Sequence, residues 1–456
     1  MVIEVTVSIL PGVFQQLDAA LAQALLDPAW PSASGVRQLS LTFMADDDEP
    51  LLDWLAAQPH YPKFYWQPRE GTERVAICGQ VAQFGTLRQA SDYVRQHSDT
   101  AGRLRVWGVN AFDAAPVEGT PQAACLFVPR LTLHQQAHTL TLTLTLADPY
   151  ALHGDLARAA AFLQQLQPAA VLPPLHTTLV HASHQPDEEG WQEMVEQALQ
   201  QIDAGELEKV VLARQTVLTF NQPVEPGQML AASLAVNHHC YHFMMAFSPE
   251  EAFLSASPER LFLRQGDQLT TEALAGTVAN SEEADQAQAL AAWLMGSEKN
   301  QRENWLVVDD ICQRLQGGAQ ALDVMPPEIV RLRKVQHLRR RIHGRLRQAE
   351  DGDCLARLQP TAAVAGLPRQ PARSFILCHE PFPRHWYAGS AGYLSRDQSE
   401  FAVSLRSALI RANQVHLYAG AGIVAGSDPA GEWQEVENKA AGLRSLLHPD
   451  DGQSPL

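Results

Sequence analysis

AGAGIVAGSDPAGEWQEVENKAAGL, residues 419–443, decides between two architectures. Read as a glycine-rich nucleotide loop, it would imply a doubly wound α/β fold. Its glycines at 420, 422 and 426 give GxGxxxG. The dinucleotide fingerprint is GxGxxG opening a helix within a βαβ unit, so that reading is set aside. The apolar run 415–424 instead reads as a strand, and the residues after it as a helix. Asp428 supplies an Asx cap and Pro429 a first-turn proline. On that helix Glu432, Glu435 and Lys439, spaced three and four apart, share one face. Taken alone, such a stripe is a solvated face with an i,i+4 ion pair.

Outward from this segment the chain alternates strand and helix patterns without βαβ regularity. Residues 139–146 are TLTLTLTL, a strict period of two, expected as a half-buried strand with threonines on its second face. Further strands are expected at 75–78, 104–108, 209–220, 240–247, 252–255, 260–264, 386–395 and 401–410. Residues 151–166 read as a helix. From Trp191 onward, Met194, Val195, Ala198, Leu199 and Ile202 fall on one helical face that Gly205 ends. One long helix is expected over 282–316. The result is an α+β fold. Prolines 168, 173 and 174 mark a soft boundary. The domain reading is an N-terminal portion 1–186, a catalytic region 187–447 and a tail 448–456.

Composition narrows the function. The 456 residues carry a formal net charge of -17, which argues against general nucleic-acid or anionic-membrane binding. Six scattered cysteines without CxxC read as free thiols of a reducing cytosol. The N-terminus has early acids and lacks a basic region, which makes it a poor signal peptide. No run reaches the length of a membrane span. The protein is therefore expected to be soluble and cytoplasmic. NHHCYHF (237–243) suggests zinc, but neighbouring residues on a strand point to opposite faces, so ordinary polar contacts are expected. The basic run RLRKVQHLRRRIHGRLR, residues 331–347, is interrupted by Leu332, Val335, Leu338, Ile342 and Leu346. It is expected to be a basic solvated face rather than an RNA-binding patch.

Five segments act together: LEKVVLARQ (207–215), FLSASPERLF (253–262), TEALAGT (271–277), KNQRENWLVVDDI (299–311) and the opening stretch. The set resembles the chorismate-utilising enzymes, a family that includes anthranilate synthase component I, aminodeoxychorismate synthase, salicylate synthase and the isochorismate synthases. The likeness extends through FYWQ (64–67), LRVWGVNAF (104–112), YAGSAGYLS (387–395) and EFAVSLRSA (400–408). With the N-terminal portion included, the chain is most similar to the isochorismate synthases of menaquinone biosynthesis. The fold implied is a large antiparallel-sheet sandwich with surrounding helices, which the N-terminal portion completes.

The resemblance implies an isomerase that adds water at C2 of chorismate and expels the C4 hydroxyl. Lys209 would be the base. An ordinary lysine, with a pKa of about 10.4, is protonated at neutral pH, so this role requires burial or cationic neighbours. Glu259 would be the acid and must hold a proton near neutral pH. Glu303 and Glu435 resemble the family's two metal-ligating glutamates on separate helices, which implies Mg²⁺. Glu432, one turn earlier, would hold a water of the metal's shell. Arg406 would grip the enolpyruvyl carboxylate with Tyr387 beside it, and Lys439 would be a further carboxylate partner. Gly420 and Gly422 would let backbone approach the substrate closely.

Ala275, followed by Gly276 and Thr277, separates the reactions. Aminodeoxychorismate synthases resemble this segment with an attacking lysine in place of Ala275; a methyl group leaves room for water. No glutaminase partner is expected, and no N-terminal motif of the tryptophan-feedback type is found. Many relatives have histidine where this chain has Gln359, a departure consistent with stopping at isochorismate. The alternatives are a pyruvate-releasing or aminating enzyme, or isochorismate made for a siderophore.

Overall fold

The strand KFYWQ (Lys63–Gln67) is buried along almost its whole length, and its side chains alternate between two apolar cores. Phe64 and Trp66 join one core and Tyr65 the other. The next strand does the same, with Val75 and Ile77 on one side and Ala76 and Cys78 on the other. A sheet with both faces covered needs no polar alternation, which is why these strands read as continuous apolar runs.

The computed structural model describes residues 9–27, 30, 34–45, 49–97, 103–113 and 123–447. Residues 1–8 of the expected non-leader N-terminus and the tail 448–456 lie outside the described residues. The elements of the first part are α1 (Leu10–Leu26), β1 (Gly35–Met44), α2 (Leu51–Ala57), β2 (Lys63–Gln67), β3 (Arg74–Phe84), α3 (Leu87–His97), β4 (Arg105–Asn110), β5 (Ala124–Gln136), β6 (Thr139–Asp148), α4 (His153–Gln164) and β7 (Leu179–Gln185). The middle of the chain forms α5 (Glu188–Asp203), β8 (Lys209–Phe220), α6 (Pro226–Val236), β9 (Tyr241–Ala246), β10 (Glu251–Ser257), β11 (Arg260–Gln265), β12 (Gln268–Ala279), α7 (Ala284–Gly296) and α8 (Glu298–Leu315). The last part forms β13 (Ala319–Val324), β14 (Glu328–Arg331), β15 (Val335–Leu346), α9 (Asp351–Leu358), β16 (Gly366–Leu367), α10 (Arg369–His379), β17 (Ser390–Ser395), β18 (Gln398–Val403), β19 (Ser407–Arg411), β20 (Gln414–Val424) and α11 (Pro429–Leu447).

The strands form two antiparallel arms that diverge from β5. One arm runs β1–β6–β5–β3–β2–β9–β10–β19–β20–β8–β7. The other leaves the first half of β5 and runs β4–β17–β18–β11–β12–β15, with β13 and β14 on its edge. Side chains of both arms meet in one core, for example Phe64, Trp66, Tyr241 and Phe243 from the first and Val109, Tyr393, Phe401 and Phe262 from the second. The second core lies on the far face of the first arm, under α1, α2, α4, α6 and the end of α11. Each fully buried phenylalanine in these cores contributes about 1.5–3 kcal/mol of apolar burial. The expected sandwich with helices outside is the observed architecture.

Five expectations are corrected. The helix expected over 282–316 is two helices, because Gly296 ends the first and the Ser297 side chain caps the second by accepting from the Asn300 N–H. The strand expected over 401–410 is interrupted between β18 and β19, where Arg406 takes a positive φ of 46°. Of the strand expected over 386–395, only the second half is extended. The basic run is no solvated face: its core is β15, paired on both sides, with His337, Arg339 and Arg340 buried. The threonines of β6 are also drawn inside. Thr141, Thr143 and Thr145 line a polar cleft of about 740 Å³ between the first arm and the β17–β18 turn.

Candidate active site

The expected site residues do not gather in that larger cleft. Most of them line a smaller cavity of about 70 Å³ between the two arms. There Val211, Gly420 and Gly422 of β8 and β20 face Leu274–Thr277 and His337 of β12 and β15. Ten of the expected residues line it: Glu259, Ala275, Gly276, Thr277, Glu303, Tyr387, Arg406, Gly420, Gly422 and Lys439. The larger cleft also carries charged side chains, among them Arg103, Arg105, Arg396 and Asp397, but none of the expected site residues lines it. The volume of the smaller cavity is below the ~300 Å³ at the low end of small-molecule sites, so the lining side chains must move for a ring to enter.

Lys209 opens β8 and is fully buried. Its Nζ donates to Glu303 Oε1 at 3.0 Å, across from the open face of Gly422. A Cβ at Gly422 would stand 2.8 Å from that carboxylate oxygen and 2.9 Å from Lys209 Cε. One at Gly420 would stand 2.7 Å from the Leu212 carbonyl oxygen and 2.9 Å from the Tyr387 hydroxyl. The glycines of the opening stretch therefore make room for side chains of the site while remaining inside a strand. They form no loop.

Glu259 sits in the connection between β10 and β11, 1% exposed. Its Oε1 has no hydrogen-bond partner. Burial, reinforced by the charge of Glu272, pushes its carboxyl up to about 8 against the opposing pull of Lys209, Arg69 and Lys439. It is thus a protonated acid at neutral pH, with one oxygen unpartnered, in a residue that lines the cavity.

Ala275 and Gly276 form a bulge in β12. Leu274 pairs with Arg339 and Thr277 with His337, so one extra residue is accommodated. Gly276 takes φ 88°, a value glycine adopts without strain. The bulge places a methyl, a bare backbone and a hydroxyl side by side on the cavity wall. Thr277 Oγ1 contacts His337 Nδ1 at 3.1 Å, and His337 Nε2 faces the Arg406 guanidinium. Burial and the charges of Arg406 and Lys439 hold that imidazole well below its usual range, hence neutral and able to accept from Arg406. His337 was missed because its run was read as a surface. The apolar residues at 335, 338 and 342, three and four apart, gave no period-two signal of a strand.

Arg406 projects from the break between β18 and β19. That break is tied down by Ser404 N–H to the Gly389 carbonyl at 3.0 Å and Ala256 N–H to the Arg406 carbonyl at 3.1 Å. Burial keeps the neighbouring Tyr387 hydroxyl protonated, up to about 12. Gln359 points elsewhere, accepting from Ser390 Oγ at 2.6 Å and donating to the Ala111 carbonyl at 2.7 Å.

Asp428 caps α11 by accepting from the Gly431 N–H at 2.8 Å. On that helix Glu435 and Lys439 pair at 2.7 Å, and Lys439 Nζ also donates to the Gly420 carbonyl at 2.9 Å. Glu432 meets Lys299 at 3.5 Å. Lys209 and Glu435 stand behind the lining and reach it through Glu303 and Lys439, whereas Glu432, also behind it, contacts Lys299. Burial and the charges of Glu435 and Glu303 raise the Glu432 carboxyl. Glu432 therefore feels the charge of two other carboxylates, Glu435 on its own helix and Glu303 on α8. Hard oxygen donors under mutual repulsion suit a small divalent cation such as Mg²⁺, although no set of three side chains converges as ready ligands among the described residues.

Residues 32–448 match the family of chorismate binding enzymes. The chain is 53% identical over 435 residues to isochorismate synthase MenF of Escherichia coli (strain K12), covering 95% of this chain and 99% of that one. It is 39% identical to isochorismate synthase MenF of Haemophilus influenzae, over 88% of this chain and 90% of that one. The solved structure of MenF, the menaquinone-specific isochorismate synthase from Escherichia coli, superposes with a TM-score of 0.90 at 52% identity, covering 95% and 99% of the two chains. Anthranilate synthase component I from Streptococcus pneumoniae shares the fold, with a TM-score of 0.61 at 21% identity.

Proposed function

This chain belongs to the chorismate-binding enzyme family, and on that premise we propose how its site works. It is an isochorismate synthase, an isomerase that converts chorismate to isochorismate for menaquinone biosynthesis. In our reading the Lys209 amine takes a proton from water as the water oxygen bonds to C2. Both ring double bonds shift, C1=C2 to C1=C6 and C5=C6 to C4=C5, the C4–O bond breaks, and Glu259 gives its proton to the departing hydroxyl. One water enters and one leaves. The turnover ends with Lys209 protonated and Glu259 ionised, the acid and base that the reverse reaction needs.

The observation that carries this reading is Glu259: buried, pushed up to about 8, and with an unpartnered oxygen beside the cavity. A departing hydroxyl needs such an acid. Ala275 supports water as the nucleophile, because its methyl offers no amine to attack the ring.

Arg406 and Tyr387 would bind the enolpyruvyl carboxylate, the guanidinium exchanging its contact with His337 for the substrate. Gly420 and Gly422 leave the backbone bare for close approach, and Gly276 and Thr277 shape the opposite wall. Glu303 and Glu435 would hold Mg²⁺, with Glu432 behind them. When bound, the ion would offset the negative charge of the ring carboxylate beside these acids. The location we propose is the cytoplasm. No helix among the described residues is long and apolar enough to cross a membrane.

The test is to incubate the purified protein with chorismate and Mg²⁺. Isochorismate should form without an added glutaminase, cease on chelation and return with Mg²⁺. Glu259→Gln should lower kcat by ~10²–10⁴, the usual worth of a general acid. Pyruvate release in the absence of any downstream enzyme would exclude an isomerase that stops at isochorismate.

A further inference from the structure

One buried ion pair grips the Glu259 turn from both sides. Arg69, from the connection between β2 and β3, donates through Nη1 to the Pro258 carbonyl at 2.5 Å and to Glu272 Oε1 at 2.5 Å. Its Nη2 donates to Glu272 Oε2 at 2.6 Å, completing a bidentate fork. Glu272, on β12, accepts the Arg260 N–H through Oε1 at 2.7 Å. The carbonyl before Glu259 and the amide after it are therefore held by the two halves of the same pair. Neither residue lines the cavity. The side chains of Arg69 and Glu272 are 3% and 1% exposed.

We propose that Arg69 and Glu272 are a positioning pair for the general acid, fixing the backbone on either side of Glu259 and setting a permanent negative charge close to its carboxyl. The inference rests on the reading of Glu259 as that acid. Burial works against ionisation of Glu272. The Arg69 charge and fork, the Arg260 N–H and the more distant Arg339 guanidinium outweigh it and hold the carboxyl below its usual range. An ionised Glu272 then opposes ionisation of Glu259. Arg69 and Lys439 of α11 favour the ionised form of Glu259, and Lys209 of β8 does so once it has taken up a proton. Glu272 is the acidic neighbour whose charge counters these groups. A pair serving stability alone would have no reason to address both peptide groups flanking the acid.

The sign of the test follows from these charges. Activity that requires protonated Glu259 falls as pH rises through its pKa, giving the alkaline limb of the kcat profile. Glu272→Gln keeps an acceptor for the Arg260 N–H but removes the charge, so this limb should move to lower pH by about one unit or more. Arg69→Lys keeps the charge that holds Glu272 ionised but gives up the bidentate fork, so it should lower kcat and leave this limb where the parent has it. A limb that moves only when the Glu272 charge is removed is not what general loosening of the fold produces. Difference infrared spectroscopy gives a readout besides turnover. The protonated-carboxyl band that vanishes in Glu259→Gln should titrate at lower pH in Glu272→Gln.

Glu259→Gln is measured first. If it keeps the parental alkaline limb, the acid assignment falls and the pair falls with it. If that limb is lost but Glu272→Gln titrates like the parent in both readouts, the pair alone is overturned. Should Glu272→Gln not fold, Arg69→Lys decides: a lowered kcat with an unmoved limb supports the pair, and a parental kcat overturns it.

Discussion

A carboxyl pushed up to about 8 is mainly protonated at neutral pH, and for Glu259 this reaches beyond turnover into stability. Its pKa is raised in the folded state above its unfolded value of about 4.3. The stability this linkage contributes is therefore full below the unfolded pKa and is lost as pH rises through the folded one. Glu259→Gln carries no such penalty. Its melting temperature, relative to the parent, should rise from pH 5 to about 8 and level off above that. A difference independent of pH would show that the carboxyl titrates normally. At this scale Lys209, Glu259, Glu303, Glu435 and Arg406 could be singled out from the sequence because each lies in a compact motif that resembles the chorismate-utilising enzymes. His337, Arg69 and Glu272 were not. Their roles depend on register and on contacts spanning up to 203 residues of sequence, as in the Arg69–Glu272 fork. No local pattern encodes such contacts.

Strands and helices place those residues through their irregularities more than through their regular stretches. The bulge at Ala275–Gly276, the positive φ of Arg406 and the stop at Gly296–Ser297 each occur where the sequence pattern still reads as continuous. Periodicity reports which face is apolar and is blind to a single residue that re-aims the chain, which is why the 282–316 and 401–410 expectations were each one element too few. Gly422 tests the strand. A methyl there meets Glu303 and Lys209 but strains no backbone, so Gly422→Ala should lower kcat/KM by ~10–100-fold while thermal stability changes little. A large stability loss with parental kinetics would place the glycine's role in folding. Asp428 tests the helix. Removing the acceptor of the Gly431 N–H with Asp428→Ala should cost ~0.5–2 kcal/mol in denaturant unfolding. It should also raise the Mg²⁺ concentration needed for half-maximal activity, since α11 carries Glu432 and Glu435. Unchanged Mg²⁺ dependence would separate the cap from the metal.

On the scale of the whole molecule, the first 186 residues share the sheet of the rest. β2 pairs with β9 and β4 with β17, and Arg69 reaches the acid turn. The connection after α4 has neither helix nor strand over 166–178, and Val171 is 87% exposed. Limited proteolysis should nick there and leave two fragments that co-elute on size exclusion, because the strand pairings outlast the cut. Fragments that part without denaturant would show two separable units. The sequence by itself determined the family, the α+β class and the residue types of the chemistry. Acids, a lysine and glycines in short motifs are local information, and apolar periodicity reports burial one element at a time. Only the tertiary structure decided that a basic run would be an interior strand, that a histidine would face Arg406, and that one ion pair would bracket the acid. These outcomes depend on which strands become neighbours and in what register, and that is settled by packing two sheet arms over a common core.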